Sequence, residues 1–258
     1  MLYHKTASSV CKNKKRLHPK RKTILMTIML MLAVSNTIIA QVKLGQLSPE
    51  YTKVLGITVG YPSFQTIIAR FGRAKEFKQQ IECCKDVYLC YKSKASKNAL
   101  AVVFGGTSGD NTVESVYVSQ YDALADILSY APGELKTDFL KNYCVESDKI
   151  PDNISIGNLV FGTTKEQLYK VWGKPSYSHN NIVTYEYYAD GNINDKLISL
   201  FKKQSYVNLD TKKFPYVTIS SRIKILFKDN KLVGFGIHRS FVSSGQKFYP
   251  NESAPLKP

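Results

Sequence analysis

Apolar residues in this chain recur at two periods, and the two alternate in blocks. Residues 156–175 read I-G-N-L-V-F-G-T-T-K-E-Q-L-Y-K-V-W-G-K-P, and over this stretch the spacing is helical. Leu168, Val171 and Trp172 share one face, while Lys165, Glu166 and Lys170 share the other. Thr163 is placed to cap the helix, and Glu166, three residues on, to complete a capping box. Gly162 provides a tight turn before it. Gly173 suits the left-handed cap conformation and Pro175 forbids continuation. A similar stretch lies 101 positions earlier, where residues 55–74 read L-G-I-T-V-G-Y-P-S-F-Q-T-I-I-A-R-F-G-R-A. Gly56 then matches Gly157, Val59 matches Val160, Ile67 matches Leu168, Phe71 matches Trp172 and Gly72 matches Gly173. Pro62 falls in the first turn, where a helix tolerates it.

After each helical block the period changes to two, which marks strands. An aromatic run comes first (87–91 and 183–188), then a pair of alternating runs (99–104 with 112–118, and 222–227 with 232–237). Asp229-Asn230 is a hairpin turn between the last two. Residues 122–130 and 133–143 have helical spacing on either side of Pro132. Residues 147–153 form a polar linker, 190–194 a turn, 196–201 a further strand and 208–214 a loop. The fold class that follows is α+β, with two tandem units of short helices on an antiparallel sheet, over residues 41–146 and 147–242. Residues 243–258 carry no apolar periodicity and read as a flexible tail.

Charge and cysteine change the picture at the N-terminus. The chain has 258 residues and a net charge of +16. Eight of the 36 basic residues, and no acid, lie in 1–40, so 28 basic residues remain against 20 acidic ones. A basic lead is followed by an apolar run at 24–34 and a small-residue end at Ala40, the layout of a secretory signal peptide. The alternative is an uncleaved anchor, but the apolar run is shorter than the roughly 20 residues of a spanning helix. Export would place Cys83, Cys84, Cys90 and Cys144 in an oxidising compartment as two disulfides. A bond between adjacent Cys83 and Cys84 would be strained, so one of them is expected to pair with Cys90 and the other with Cys144.

Little in the sequence points to catalysis, a cofactor or a metal. His179 and His238 are the histidines outside 1–40, and neither has a nucleophile at a recognisable spacing. Residues 105–109, G-G-T-S-G, lack the lysine of a phosphate loop and lie between strands, so they read as a flexible hairpin loop. The aromatic signal is stronger. Tyr185 and Tyr187 share one face of their strand, with Tyr188 and Glu186 on the other. Ile225, Phe227, Phe235 and Ile237 fit a core face, which places Lys224, Gly236 and His238 opposite. Seventeen tyrosines exceed what a core needs.

The pattern Gly162-x-Thr164, Leu168, Trp172-Gly173-x-Pro175, followed by Tyr185, Tyr187, Phe227 and Phe235, resembles the SmpA/OmlA (BamE-like) envelope family. That family shares its fold with the β-lactamase inhibitory proteins. The earlier copy keeps Ile67, Phe71 and Gly72 but has Ala74 in place of the proline. The resemblance implies two units whose sheets form a concave, aromatic-lined surface that grips a protein. Single-unit relatives are lipid-anchored accessories of outer-membrane assembly, whereas this chain lacks the lipidation cysteine and is longer than a minimal inhibitor. The expectation is an exported, disulfide-bearing, non-enzymatic protein of the periplasm or secreted fraction. Its partner would be an envelope or secreted protein met by Tyr185, Tyr188, His238 and Arg239. No nucleic acid or cofactor is expected, and association with a membrane surface would be weak. The alternative partner is an anionic envelope polymer or lipid head group, held in a salt-sensitive way.

Overall fold

Long alternating runs dominate the structure, a computed structural model that describes residues 43–44, 51–81, 84–94, 99–107, 111–128, 142–192, 212 and 215–244. The chain divides after Ile39, and every described residue belongs to the second unit, Ala40–Pro258. The chain opens with β1 (Lys43–Leu44), β2 (Lys53–Val54), β3 (Ile57–Thr58) and α1 (Phe64–Phe71). Four strands follow: β4 (Phe77–Ile81), β5 (Cys84–Ser93), β6 (Leu100–Thr107) and β7 (Ser115–Gln120). A 3₁₀ turn at Tyr121–Ala123 runs into α2 (Leu124–Leu128), and then come β8 (Val145–Ser147) and α3 (Lys165–Trp172). The last strands are β9 (Tyr177–His179), β10 (Ile182–Asn192), β11 (Tyr216–Lys228) and β12 (Lys231–Ser244).

Ten of these strands form one sheet in the order β1-β10-β11-β12-β7-β6-β5-β4, with β8 beside β5 and β9 beside β10. The pairings are antiparallel except for the short β1 and β8. Strand β11 shows why: buried and half-buried residues alternate from Tyr216 to Ile225, as a pleat with two unlike faces requires. Asp229 and Asn230 turn it into β12 with φ of 50° and 59°. Two positive values suit the twist of a tight hairpin, as the sequence predicted.

Helices α1 and α3 pack on one face of the sheet. Each has only eight residues, too short to persist alone, so caps and burial hold it. Ser63 Oγ accepts from Thr66 N at one N-terminus, and Thr164 Oγ1 accepts from Gln167 N at the other. Ile67 and Leu168 are fully buried, each stabilising the fold by roughly 2 kcal/mol. Phe71 meets Tyr91 at 5.6 Å between centroids, and Trp172 meets Tyr185 at 5.4 Å. Each of these tyrosines then donates its hydroxyl to the carbonyl of the glycine ending the helix. Tyr91 Oη reaches Gly72 O at 2.8 Å, and Tyr185 Oη reaches Gly173 O at 2.8 Å. On the other face α2 buries Leu124, Ile127 and Leu128 against Cys90, Val103, Ile182, Leu226 and Val233.

Several expectations are corrected. The cap of α3 is Thr164 with Gln167, one residue beyond Thr163 and Glu166. Thr163 instead donates to Val160 O at 2.7 Å, in the turn before the helix. Val171 is 48% exposed, because the wide Trp172 side chain fills the space above the sheet. Residues 147–153 are not a free polar linker. Ser147 ends β8 and donates to Phe71 O, while Ile150, Ile154 and Ile156 are buried. Residues 105–107 belong to β6, and β10 continues through the expected turn at 190–192. It can do so because the buried carboxylate of Asp190 accepts the Thr218 hydroxyl on β11. Cys90 is bonded to Cys144, with 4.4 Å between Cα atoms, so neither pairs with Cys83 or Cys84. Strand β5 carries Cys90 beside β8, and Cys144 immediately precedes β8. The expected signal peptide, residues 133–141 of the expected helix, the strand at 196–201 and the tail beyond Ser244 lie outside the described residues, whereas Asn142 and Tyr143 are helical and Ser243 and Ser244, expected in the tail, end β12.

Candidate functional site

Alternation along β10, β11 and β12 turns one set of residues away from α1 and α3. Register across four strands aligns Glu186, Arg222, His238 and Ser115 in a row. The next row is Thr184, Lys224, Gly236 and Tyr117. Directly opposed residues on a sheet lie about 5 Å apart at Cβ, so these groups are neighbours. Tyr188 and Tyr177 complete the patch, Tyr188 two residues beyond Glu186 and Tyr177 opposite Thr184.

Glycine makes room for the aromatic rings. A Cβ on Gly236 would sit 2.5 Å from the Tyr117 ring, and one on Gly105 would sit 2.6 Å from the Tyr88 ring. Each ring therefore lies down against a neighbouring backbone, which a larger residue would prevent.

The polar groups are organised around Glu186, whose side chain is only 11% exposed. Its Oε1 pairs with Arg222 Nε and also accepts from Tyr177 Oη at 2.6 Å. Its backbone amide donates to Ser176 Oγ at 2.9 Å. Arg222 keeps 42% of its side chain exposed, and Lys224, His238, Tyr177 and Tyr188 are half-buried. Burial pushes His238 down to about 4, with Arg222 and Lys224 adding repulsion, so the imidazole is neutral near pH 7. Burial also lowers Lys224, with Arg222 reinforcing the shift and Glu186 opposing it. Burial, helped by the bond to Glu186, pushes Tyr177 up to about 12. Ser115 is opposite His238 in register, but its hydroxyl is engaged with Tyr117. The arrangement offers aromatic surface, hydroxyls and a local excess of cationic side chains over carboxylates. Such a surface can hold a partner by stacking and charge.

Of the four expected contact residues, the structure brings Tyr188 and His238 together here. Tyr185 is fully buried under Trp172 and is a core residue, because its strand points it at the helices. Arg239 points to the same side as Tyr185 and is 3% exposed. The expectation passed over Arg222, Lys224 and Tyr177 as contacts. The Arg222-x-Lys224 alternation within a strand was the signal that could have found two of them. His179 is exposed on β9 and takes no part. Among the described residues no group of three His, Cys, Asp or Glu could hold a metal, and no helix is long and apolar enough to cross a membrane. Comparison with family models, curated proteins and solved structures returned no match.

Proposed function

We propose that this is an exported, non-enzymatic binding module made of two copies of one helix-and-sheet unit, and that it holds another envelope or secreted protein. The contact face is the half-exposed patch of Tyr177, Tyr188, Arg222, Lys224 and His238. The observation that carries the reading is that these residues share one face and are half-exposed there, since tyrosine and arginine are enriched where proteins bind.

Duplication is supported by the two eight-residue helices, whose caps, buried residues and closing glycines recur at the 101-residue offset. The paired tyrosine bonds to those glycines support it further. Export is supported by the basic and apolar order of residues 1–40, and by a disulfide, which persists in oxidising compartments. The resemblance to SmpA/OmlA proteins and to β-lactamase inhibitory proteins points the same way, on the grounds of fold alone.

One observation favours a second reading. Two basic side chains, Arg222 and Lys224, interact with the carboxylate of Glu186 on this face, and this suits an anionic polymer or lipid head group. The test is capture from envelope extract with the chain as bait, washed at low and high salt. A protein retained at high salt by the wild type, and lost with Tyr188→Ala, supports the protein-binding reading. Polymer or lipid that washes off with salt supports the second reading.

A further inference from the structure

Charged side chains are almost never fully buried unless paired. Arg239 on β12 departs from that rule. It is 3% exposed, and no ion pair joins it to a carboxylate among the described residues. Its Nε is buried without a hydrogen-bond acceptor among the described residues.

The surroundings are aromatic. Tyr61 lies 5.2 Å and Phe241 5.1 Å from the guanidinium carbon, with the two rings 5.4 Å apart and edge-on to one another. The Tyr61 hydroxyl accepts one hydrogen bond from the guanidinium. Ring faces attract a cation, but a ring beside the guanidinium does not replace an acceptor for an N–H left without one. The backbone fixes this arrangement. Arg239 N donates to Glu114 O at 2.8 Å, and Gly60 N donates to Val113 O at 2.8 Å. Gly60 has φ of +92°, and a Cβ there would fall 2.7 Å from the Phe241 ring and 3.4 Å from Arg239 Cδ. Only glycine lets the phenyl ring close down over the arginine stem. Both Tyr61 and Phe241 are half-exposed, so the two rings beside the guanidinium reach the surface.

We propose that Arg239, walled by Tyr61 and Phe241, is a binding site for an oxyanion, either a carboxylate or a phosphate, whose oxygen accepts the Nε–H. The planar fork of a guanidinium matches both groups. Partial removal from water, which lowers the pKa of Arg239, is the cost that such an anion would offset. The site is on the opposite face from the patch around His238, so it stands whether or not that patch binds a protein.

The experiment titrates the full chain with inorganic phosphate and separately with acetate, at fixed ionic strength, and reads two signals. One is the thermal midpoint, the other the Nε–H resonance of Arg239 in an arginine-labelled sample. The expected result is a saturable rise in the midpoint with at least one anion, together with a shift of the Nε–H resonance. A response to acetate alone assigns a carboxylate, and a response to phosphate alone assigns a phosphate. Arg239→Gln should abolish the anion response, and in anion-poor buffer it should be no less stable than the wild type. Arg239→Lys keeps the charge without the fork and should weaken the response. If neither anion moves either wild-type signal, the proposal is overturned, even if the variants fail to fold. An equal response in wild type and Arg239→Gln overturns it as well.

Discussion

Opening the Cys90–Cys144 bond tests how β5 and β8 are held together. The bond closes a loop with a sequence separation of 54. Chain entropy for a loop of that length gives about 4 kcal/mol at 25 °C. Cys90 is fully buried beside Ala101, Val103 and Leu124, and as a free thiol it still packs as a small apolar residue. Cys144→Ala therefore removes the covalent tie while leaving the core contacts of Cys90 in place. In a domain of this size each kcal/mol moves the midpoint by about 2–4 °C, so calorimetry without reductant should show a fall of roughly 8–16 °C. Reduction of the wild type should produce the same fall. Two results would refute the reasoning. One is a Cys144→Ala midpoint within about 2 °C of the oxidised wild type. The other is peptide mapping that joins Cys90 to Cys83 or Cys84.

Tyr91→Phe and Tyr185→Phe each remove one hydroxyl bond to a helix-ending glycine, at a cost of about 1 kcal/mol in chemical denaturation. Gly173 is exposed and Gly72 half-buried, so water can replace the bond at Gly173 and Tyr185→Phe should cost the less of the two. No change in either variant would sink that account of the caps. His238 titrates at about 4 when folded, below its unfolded value near 6.5. Between those values the unfolded chain binds the extra proton, so stability rises with pH through that window and is lost as pH falls from 6.5 towards 4. His238→Gln should flatten this segment of the stability curve, and a His238 NMR titration centred above pH 6 would contradict the burial behind it.

Much of the fold was legible in the sequence because local and tertiary demands agree. Leu168 and Trp172, with Gly173 and Pro175, define a helix and its end without help from the sheet. The one-residue error in its cap arose because Thr163 and Thr164 can both cap, and Glu166 and Gln167 can both close the box. Contacts with the β11–β12 hairpin distinguish them: Leu232 N donates to Thr163 O, and Thr164 bridges Lys231. Asp190-Gly191 looked like a turn because the Thr218 hydroxyl that satisfies the aspartate lies 28 residues away. The site was half legible. Strand alternation placed Lys224 and His238 opposite the core face, as found. It also separated Tyr185 from Tyr188 but did not say which of the two faces was the core side, and the pairing of Tyr185 with Ile223 decides that. What the pattern could not supply was neighbourhood. Glu186, Arg222, His238 and Ser115 come from four strands, and only the sheet order aligns them.

The most direct measurement is the affinity of the captured partner for the chain at two ionic strengths, by calorimetry. Tyr188→Ala and Arg222→Ala would be compared with Val171→Asp, a change at an exposed position on the helical side. The expected result is a loss of about 1–2 kcal/mol for each change on the patch, little change for Val171→Asp, and a modest effect of salt on the wild type. Full affinity in both patch variants, or affinity lost with Val171→Asp alone, would contradict the claim that this sheet face is the binding surface.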